Sequence, residues 1–179
     1  GRSATVNIHS NQIALSFAQL FGGQYVEFFS PAIFSDPVVL EGFMKEAPMR
    51  RIQQYYREVK TVIMGIGTPN RAGSTMLRAG YITQDQLRGL VAQGVAGDLS
   101  LQFFDREGNT EKFRSFNDRV AGMPLHQLRE VENRIGIGSG VHRAEAIHGA
   151  LCGGFINILV TEQECALRLI EMRKEDMQA

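Results

Sequence analysis

Apolar residues recur along this chain at two spacings, one typical of amphipathic helices and one typical of short buried strands. In the last third the two patterns alternate regularly. They predict a strand at 134–137, a helix at 141–151, a strand at 155–160 and a helix at 161–172. Strands of about five residues that alternate with longer helices are typical of parallel α/β layers. The pattern therefore predicts an α/β protein with a parallel sheet.

The first two thirds of the chain carry further helix and strand patterns, bounded by capping residues, Gly or Pro. They predict helices at 11–21, 37–44, 48–57, 84–93 and 124–130, strands at 25–29 and 59–64, and a β-hairpin whose strands at 99–104 and 110–116 flank a turn at 105–109. The strand at 59–64 is predicted to be buried because it is rich in Val, Ile and Met. The expected architecture is one domain of parallel-sheet, Rossmann-like layers with a small β-hairpin insertion.

The composition excludes several classes of protein. The chain has 179 residues, 44% of them hydrophobic, which is enough to fill the core of one domain. Its 19 Lys and Arg are balanced by 19 Asp and Glu, whereas a DNA-binding module normally has a basic excess. Two cysteines are too few for a disulfide scaffold, and no apolar run is long enough to span a membrane. With no signal-peptide pattern at its start, the chain is expected in the cytoplasm.

A glycine-rich turn after the predicted strand at 134–137 is the first candidate site, because ligands of open parallel sheets bind at the carboxyl ends of strands. Gly138, Ser139 and Gly140, here called the glycine loop, would let backbone N–H groups approach an anion beside a helix N-terminus. Arg143 would lie in the first helical turn, where a cation opposes the helix dipole unless an anion offsets it. The pattern indicates an anion site, although a tight turn beside a solvated Arg143 would also explain it.

Asp98 is the second candidate, because it lies where a predicted helix ends and a strand begins. A carboxylate can accept hydrogen bonds from two neighbouring hydroxyl groups of a sugar. The alternative is an Asp that stabilises a turn through its own backbone, which is how Asp105 is interpreted. His9, just before the first predicted helix, could face a cleft.

The chain offers no convincing metal or nucleophile motif. His142 and His148 are six residues apart and do not share a helix face, whereas a helical zinc pair needs a spacing of three or four. Neither Cys152 nor Cys165 has a convincing partner histidine in the sequence. No metal and no cofactor are therefore expected.

An ordered set of short motifs resembles the C-terminal effector-binding domain of SorC-type bacterial transcriptional regulators. The motifs are Leu-Arg-Ala-Gly-Tyr-Ile-Thr at 77–83, Ala-Gly-Asp-Leu at 96–99, Phe-Phe-Asp at 103–105, Asn-Asp-Arg-Val at 117–120, Arg-Ala-Glu-Ala-Ile at 143–147, Gly-Gly-Phe-Ile-Asn at 153–157 and Leu-Val-Thr at 159–161. Each motif alone is loose. Their shared order and spacing over nearly the whole chain make the resemblance specific.

The resemblance implies the fold of sugar-phosphate isomerases and glucosamine-phosphate deaminases, reused as a sensor of sugars or sugar phosphates without catalysis. It implies that the glycine loop lies on the phosphate side of the ligand. It also implies that Arg143 replaces a usual Lys and that Asp98 matches an acidic residue that contacts sugar hydroxyls. His9 and Arg78 fall near further ligand contacts of relatives.

The resemblance further implies a longer protein. The helix-turn-helix that binds operator DNA in this family, and the first strand of its effector domain, have no counterpart in the sequence. Residues 1–179 are expected to bind the effector and to form a homodimer or homotetramer, so that ligand changes operator binding by shifting the arrangement of subunits. The alternative is an isomerase or deaminase with Asp98 or Glu145 as general base and His142 as its partner, although no clustered acid–base motif supports it.

Overall fold

The computed structural model describes residues 10–69 and 74–178, and the chain divides into two compact units between Pro31 and Ala32. The smaller unit contains helix α1 (Ser10–Phe21), which confirms the first predicted helix. Gly22 follows the helix with a φ of +67°, a conformation that glycine adopts without strain. Apolar side chains of α1, including Leu20 and Phe21, are exposed.

The strand predicted at 25–29 is wrong, because this segment has no strand pairing. Its apolar side chains Val26 and Phe29 are exposed. Aromatic and β-branched residues favour a strand only where a neighbouring strand and a packed face receive them. Local composition alone therefore misassigned this segment.

The larger unit has a mixed α/β fold, in which helices accompany one sheet. Its helices are α2 (Pro37–Met44), α3 (Ala47–Glu58), α4 (Thr75–Arg78), α5 (Gln84–Ala92), α6 (Arg114–Asn117), α7 (Leu125–Leu128), α8 (Ala144–Cys152) and α9 (Gln163–Asp176). Its strands are β1 (Thr61–Gly67), β2 (Val95–Leu99), β3 (Gln102–Asp105), β4 (Asn133–Ile137) and β5 (Ile158–Val160). They form a five-stranded sheet in the order β3-β2-β1-β4-β5. The α/β class predicted from the sequence is thus confirmed.

Strands β1, β4 and β5 are parallel, and β2 and β3 add an antiparallel extension beside β1. The predicted parallel layers therefore account for part of the sheet. Strand β5 begins later than predicted, because Phe155 and Ile156 are buried in the core before the strand starts. A 3₁₀ turn at Val141–Arg143 precedes α8, so this helix begins three residues later than predicted.

The β-hairpin exists, but its position was predicted wrongly. Strands β2 and β3 are joined by Ser100 and Leu101, whose φ angles are +48° and +68°. Asp105 instead organises the following turn, since its carboxylate accepts hydrogen bonds from the N–H groups of Glu107 and Asn109. The segment predicted as the second strand is a 3₁₀ turn followed by α6.

Local capping signals place several helices where the sequence predicted them. Asp36 accepts a hydrogen bond from Val38 N at 2.7 Å and caps α2. Thr83 and Gln86 form both hydrogen bonds of a capping box at the start of α5. Gly94 then ends this helix region with a φ of +82°. These signals act within one turn of helix, so the sequence carries them directly.

Two apolar clusters surround the hairpin. The first includes Leu99, Phe104, Ile147 and Phe155 and packs α8 against the sheet. The second lies under α5 and α6 and includes Leu87, Leu90, Phe103, Phe113 and Phe116. Both faces of the hairpin are therefore fixed by packing.

Strand β1 is confirmed, but the prediction that it is buried is wrong. Ile63 is 50% exposed, and it shares its sheet face with Ile137 and Val160, which are exposed to a similar extent. In the described part of the chain, no helix has the length and apolar character needed to cross a membrane.

Candidate functional site

The carboxyl ends of three parallel strands meet at one edge of the sheet. Strand β1 ends at Gly67 and Thr68, β4 leads into the glycine loop, and β5 leads into Thr161 and Glu162. Antiparallel pairing places Asp98 of β2 directly opposite Gly67. This edge therefore combines a carboxylate, a glycine-rich turn and further polar side chains, as sheets of this kind do where they bind ligands.

The Asp98 carboxylate occupies space that Gly67 leaves free. A Cβ on Gly67 would lie 2.0 Å from Asp98 Oδ1, so only glycine fits opposite this side chain. Burial raises the pKa of the Asp98 carboxyl from 3.8 to about 6, against the opposing effects of the Leu101 N–H and the Arg143 charge. Asp98 is thus a largely desolvated carboxylate at the carboxyl edge of the sheet, and the N–H of Leu101 in the β2–β3 turn contacts it.

Arg143 lies beside Asp98 but is not directed over the glycine loop. Its Nη1 donates a hydrogen bond to Ile66 O at 2.6 Å, which ties the guanidinium to the end of β1. Its position before the first turn of α8 opposes the helix dipole. The Ile66 carbonyl and the Asp98 carboxylate offset that disadvantage. The structure therefore brings Asp98 and Arg143 together.

The glycine loop is held by hydrogen bonds to β5 and to the residues after it. Gly138 N donates to Val160 O at 3.2 Å, and Gly140 N donates to Glu162 Oε1 at 2.5 Å. Gly140 has a φ of +96°, and a Cβ there would lie 2.4 Å from the His142 ring. Ser139 is exposed. The loop keeps its glycine-dependent shape, with two of its N–H groups already paired.

Two further residues at this edge, Thr68 and Glu162, were not among the site residues predicted from the sequence. Thr68 is 4% exposed, and its Oγ1 has no hydrogen-bond partner among the residues that the structure describes. A buried hydroxyl without a partner is rare and marks a site worth testing. Glu162 holds the glycine loop. Both residues follow parallel strands. The rule that ligands bind at the carboxyl ends of such strands, which predicted the glycine loop, therefore also points to Thr68 and Glu162.

The remaining predicted residues do not join this group. His9 lies outside the described residues. Arg78 is exposed at the end of α4, and within the described residues no hydrogen bond or ion pair connects it with Asp98 or the glycine loop. Within the same residues there is no cluster of three potential metal ligands.

Cys152 has a neighbouring histidine, contrary to the sequence analysis. It lies one turn after His148, and its sulfur is 3.7 Å from both ring nitrogens. His148 also lies 2.9 Å from an oxygen of Asp176. Burial raises the pKa of the Cys152 thiol, so the thiol is not activated as a nucleophile.

A cavity of about 770 Å³ lies elsewhere, and none of the predicted site residues lines it. Leu40 and Tyr56 contribute to its walls. Arg114 lies 3.6 Å from Asp118 there, and the Gln102 amide bonds to backbone on both sides, while Arg57 and His126 also line the cavity. The cavity is separate from the sheet edge that holds Asp98 and the glycine loop.

Comparison with known proteins identifies the chain by family. The family model described as "Putative sugar-binding domain" matches residues 1–171. The deoxyribonucleoside regulator of Bacillus subtilis is 28% identical over 165 residues, which cover 92% of this chain and 52% of that protein. The sorbitol operon regulator of Klebsiella pneumoniae is 29% identical over 79% of this chain and 44% of that protein. The chain spans about half the length of these curated relatives.

Solved structures show the same fold. The putative sugar-binding domain of a transcriptional repressor from Vibrio fischeri superposes with a TM-score of 0.82 at 27% identity, covering 93% of this chain and 66% of that chain. The full-length sorbitol operon regulator SorC from Klebsiella pneumoniae gives a TM-score of 0.78 at 27% identity, covering 90% of this chain and 52% of that chain.

Proposed function

Because this chain belongs to the family of sugar-binding domains of SorC-type transcriptional regulators, we propose that it binds a sugar or sugar phosphate at the carboxyl edge of β1, β4 and β5. The observation that carries the proposal is the desolvated Asp98 carboxylate beside Arg143. Asp98 accepts hydrogen bonds from neighbouring ligand hydroxyls, Arg143 binds the same end of the ligand, and the glycine loop contacts its other end.

The binding event regulates transcription in the full-length protein. Ligand favours one arrangement of subunits in a homodimer or homotetramer, and this arrangement changes the spacing of the operator-binding segments. Operator binding would require a location in the bacterial cytoplasm, which is therefore part of the proposal, and the proposal requires no contact with a membrane. Exposed apolar residues on α2, including Val38 and Val39, are suited to a subunit contact.

The proposal excludes turnover of the ligand. An isomerase or deaminase needs a general acid and a general base at the reacting carbons. Asp98 can accept a proton at a pKa of about 6, but Arg143, the charged group beside it, does not release a proton near neutral pH and so supplies no general acid. Glu145 and His142, the other residues considered for such chemistry, are exposed. We propose that the isomerase and deaminase fold implied by the sequence resemblance is reused here for binding alone.

A thermal-shift screen against sugars and sugar phosphates tests the proposal. A ligand at about 100 times its Kd stabilises the folded state by about 2.7 kcal/mol, which is easily detected. Asp98→Ala and Arg143→Ala should abolish the shift. The matched controls Asp85→Ala and Arg88→Ala, which remove the same side chains from an exposed ion pair on α5, should retain it.

Three results would contradict the proposal. Absence of a shift with every compound would argue against a functional pocket. Loss of the shift in the α5 controls would show a non-specific effect. Consumption of the stabilising sugar, followed by NMR of the compound, would identify an enzyme.

A further inference from the structure

Glu162 makes the contact with the glycine loop that an anionic ligand would make. Gly140 N donates to Glu162 Oε1 at 2.5 Å, and the Thr161 hydroxyl donates to Oε2 at 3.3 Å. The hydrogen bond from Gly140 is the main cause that lowers the pKa of the Glu162 carboxyl, so this group is ionised at neutral pH. A carboxylate of this chain therefore already occupies the end of the loop.

The rest of the loop does not compensate for this charge. Gly138 N is used by Val160 O. The Arg143 guanidinium is bonded to Ile66 O and interacts with the Asp98 carboxylate. The imidazole of His142, which is exposed, is the basic side chain whose charge contributes to lowering the pKa of Glu162. A phosphate at the loop would thus compete for Gly140 N and lie beside a negative charge.

We propose that Glu162 determines specificity at this edge by disfavouring a phosphate and favouring an uncharged sugar or polyol. This inference rests on the proposed function and narrows its ligand class. Two like charges about 6 Å apart, at an effective dielectric constant of about 40, weaken binding about tenfold. A neutral hydroxyl avoids this repulsion and can donate a hydrogen bond to the carboxylate.

The test compares the wild-type chain with Glu162→Gln and with Glu164→Gln. Gln at 162 removes the charge but keeps an oxygen that can accept from Gly140 N. Glu164 is an exposed residue in the first turn of α9, so its replacement is a matched control for charge. Inorganic phosphate is titrated into each ¹⁵N-labelled protein, and the amide signals of Gly138, Ser139 and Gly140 report binding. Melting temperatures verify that each variant is folded.

The expected result is about tenfold tighter phosphate binding in Glu162→Gln, with signal changes centred on the glycine loop. Equal or weaker phosphate binding in Glu162→Gln, or the same gain in Glu164→Gln, would overturn the inference. A second arm measures the Kd of a sugar identified in the thermal-shift screen and of its phosphate. The Kd of the phosphate should fall in Glu162→Gln, while that of the neutral sugar should rise because its hydroxyl loses a charged acceptor. Equal changes in both would indicate a structural role only.

The two arms separate this inference from the proposed function. Phosphate titration requires no sugar to bind, so it gives a result even when the screen finds no ligand. In that case the proposed function fails, while the effect of Glu162 on the loop is still measured. If folded Glu162→Gln binds no phosphate at the loop, the inference fails on its own.

Discussion

Replacing Asp98 by Asn should stabilise the unliganded protein while weakening its binding of a sugar. The charged form of Asp98 is penalised by burial. Asn has nearly the same shape and keeps an oxygen that can accept from Leu101 N, but it carries no charge to desolvate. A residue retained for ligand contact at the expense of stability should respond in this way.

The magnitude follows from the pKa of Asp98, which is raised from 3.8 to about 6. At about 1.4 kcal/mol per pH unit, this difference corresponds to about 3 kcal/mol of unfolding free energy. Between pH 4 and 6 the folded chain holds a proton that the unfolded chain releases, so the contribution of Asp98 becomes less favourable as pH rises. The full penalty is present above pH 6 and absent below pH 4. Asp98→Asn should therefore gain about 2–3 kcal/mol at pH 7.5 and almost nothing near pH 4.

Urea unfolding followed by circular dichroism, at several pH values from 4.5 to 7.5, measures this difference directly. Asp105→Asn provides the contrast, because the buried Asp105 carboxylate accepts hydrogen bonds from Glu107 N, Asn109 N and Asn109 Nδ2. It should lose about 1–3 kcal/mol at neutral pH. A difference between wild type and Asp98→Asn that does not change with pH, or a less stable variant at pH 7.5, would refute the reasoning.

Other substitutions test a buried hydroxyl at the site, and glycine packing and helix capping elsewhere in the fold, each by urea unfolding. Thr68→Val should stabilise the chain by about 1 kcal/mol, since it removes a buried hydroxyl without a partner; a loss of stability would indicate a missed hydrogen bond. Gly108→Ala should destabilise it by more than about 3 kcal/mol, because the new Cβ would lie 2.2 Å from Gly153 N. Gly154→Ala, with a positive φ but no atom within 4 Å, should lose only about 1 kcal/mol. Thr83→Ala should lose about 0.5–2 kcal/mol through its capping box, and an unchanged midpoint would contradict that role.

The sequence predicts best those elements whose signals are local. The start of α5 follows from Thr83 and Gln86, and the start of α2 follows from Asp36. The hairpin was misplaced because Ser100 and Leu101 adopt positive φ angles that sequence rules assign to Gly or Asn. Packing on both faces of the hairpin imposes that turn, and such long-range contacts leave no short motif.

In the candidate site, too, features with a local sequence motif could be predicted, whereas features that depend on the fold could not. The glycine loop could be found because glycines after a strand are a recognisable pattern. The pairing of Asp98 with Gly67 depends on the order of strands in the sheet, which a single sequence does not state. The link between Glu162 and Gly140 spans two neighbouring strand ends and likewise becomes visible only in the fold.

Helix α8 connects the proposed ligand edge to the turn after β3 through direct backbone contacts. Arg143 precedes the helix at one end, and Gly149 and the C-cap Gly153, six and ten residues later and about 9–15 Å along the axis, meet the turn that follows β3. A Cβ on Gly149 would lie 2.5 Å from Asp105 O, and one on Gly108 would lie 2.2 Å from Gly153 N. Backbone in direct contact with backbone cannot absorb a displacement by changing side-chain rotamers. The helix is therefore a stiff rod, and any movement of Arg143 along its axis would reach the far turn at nearly its full amplitude.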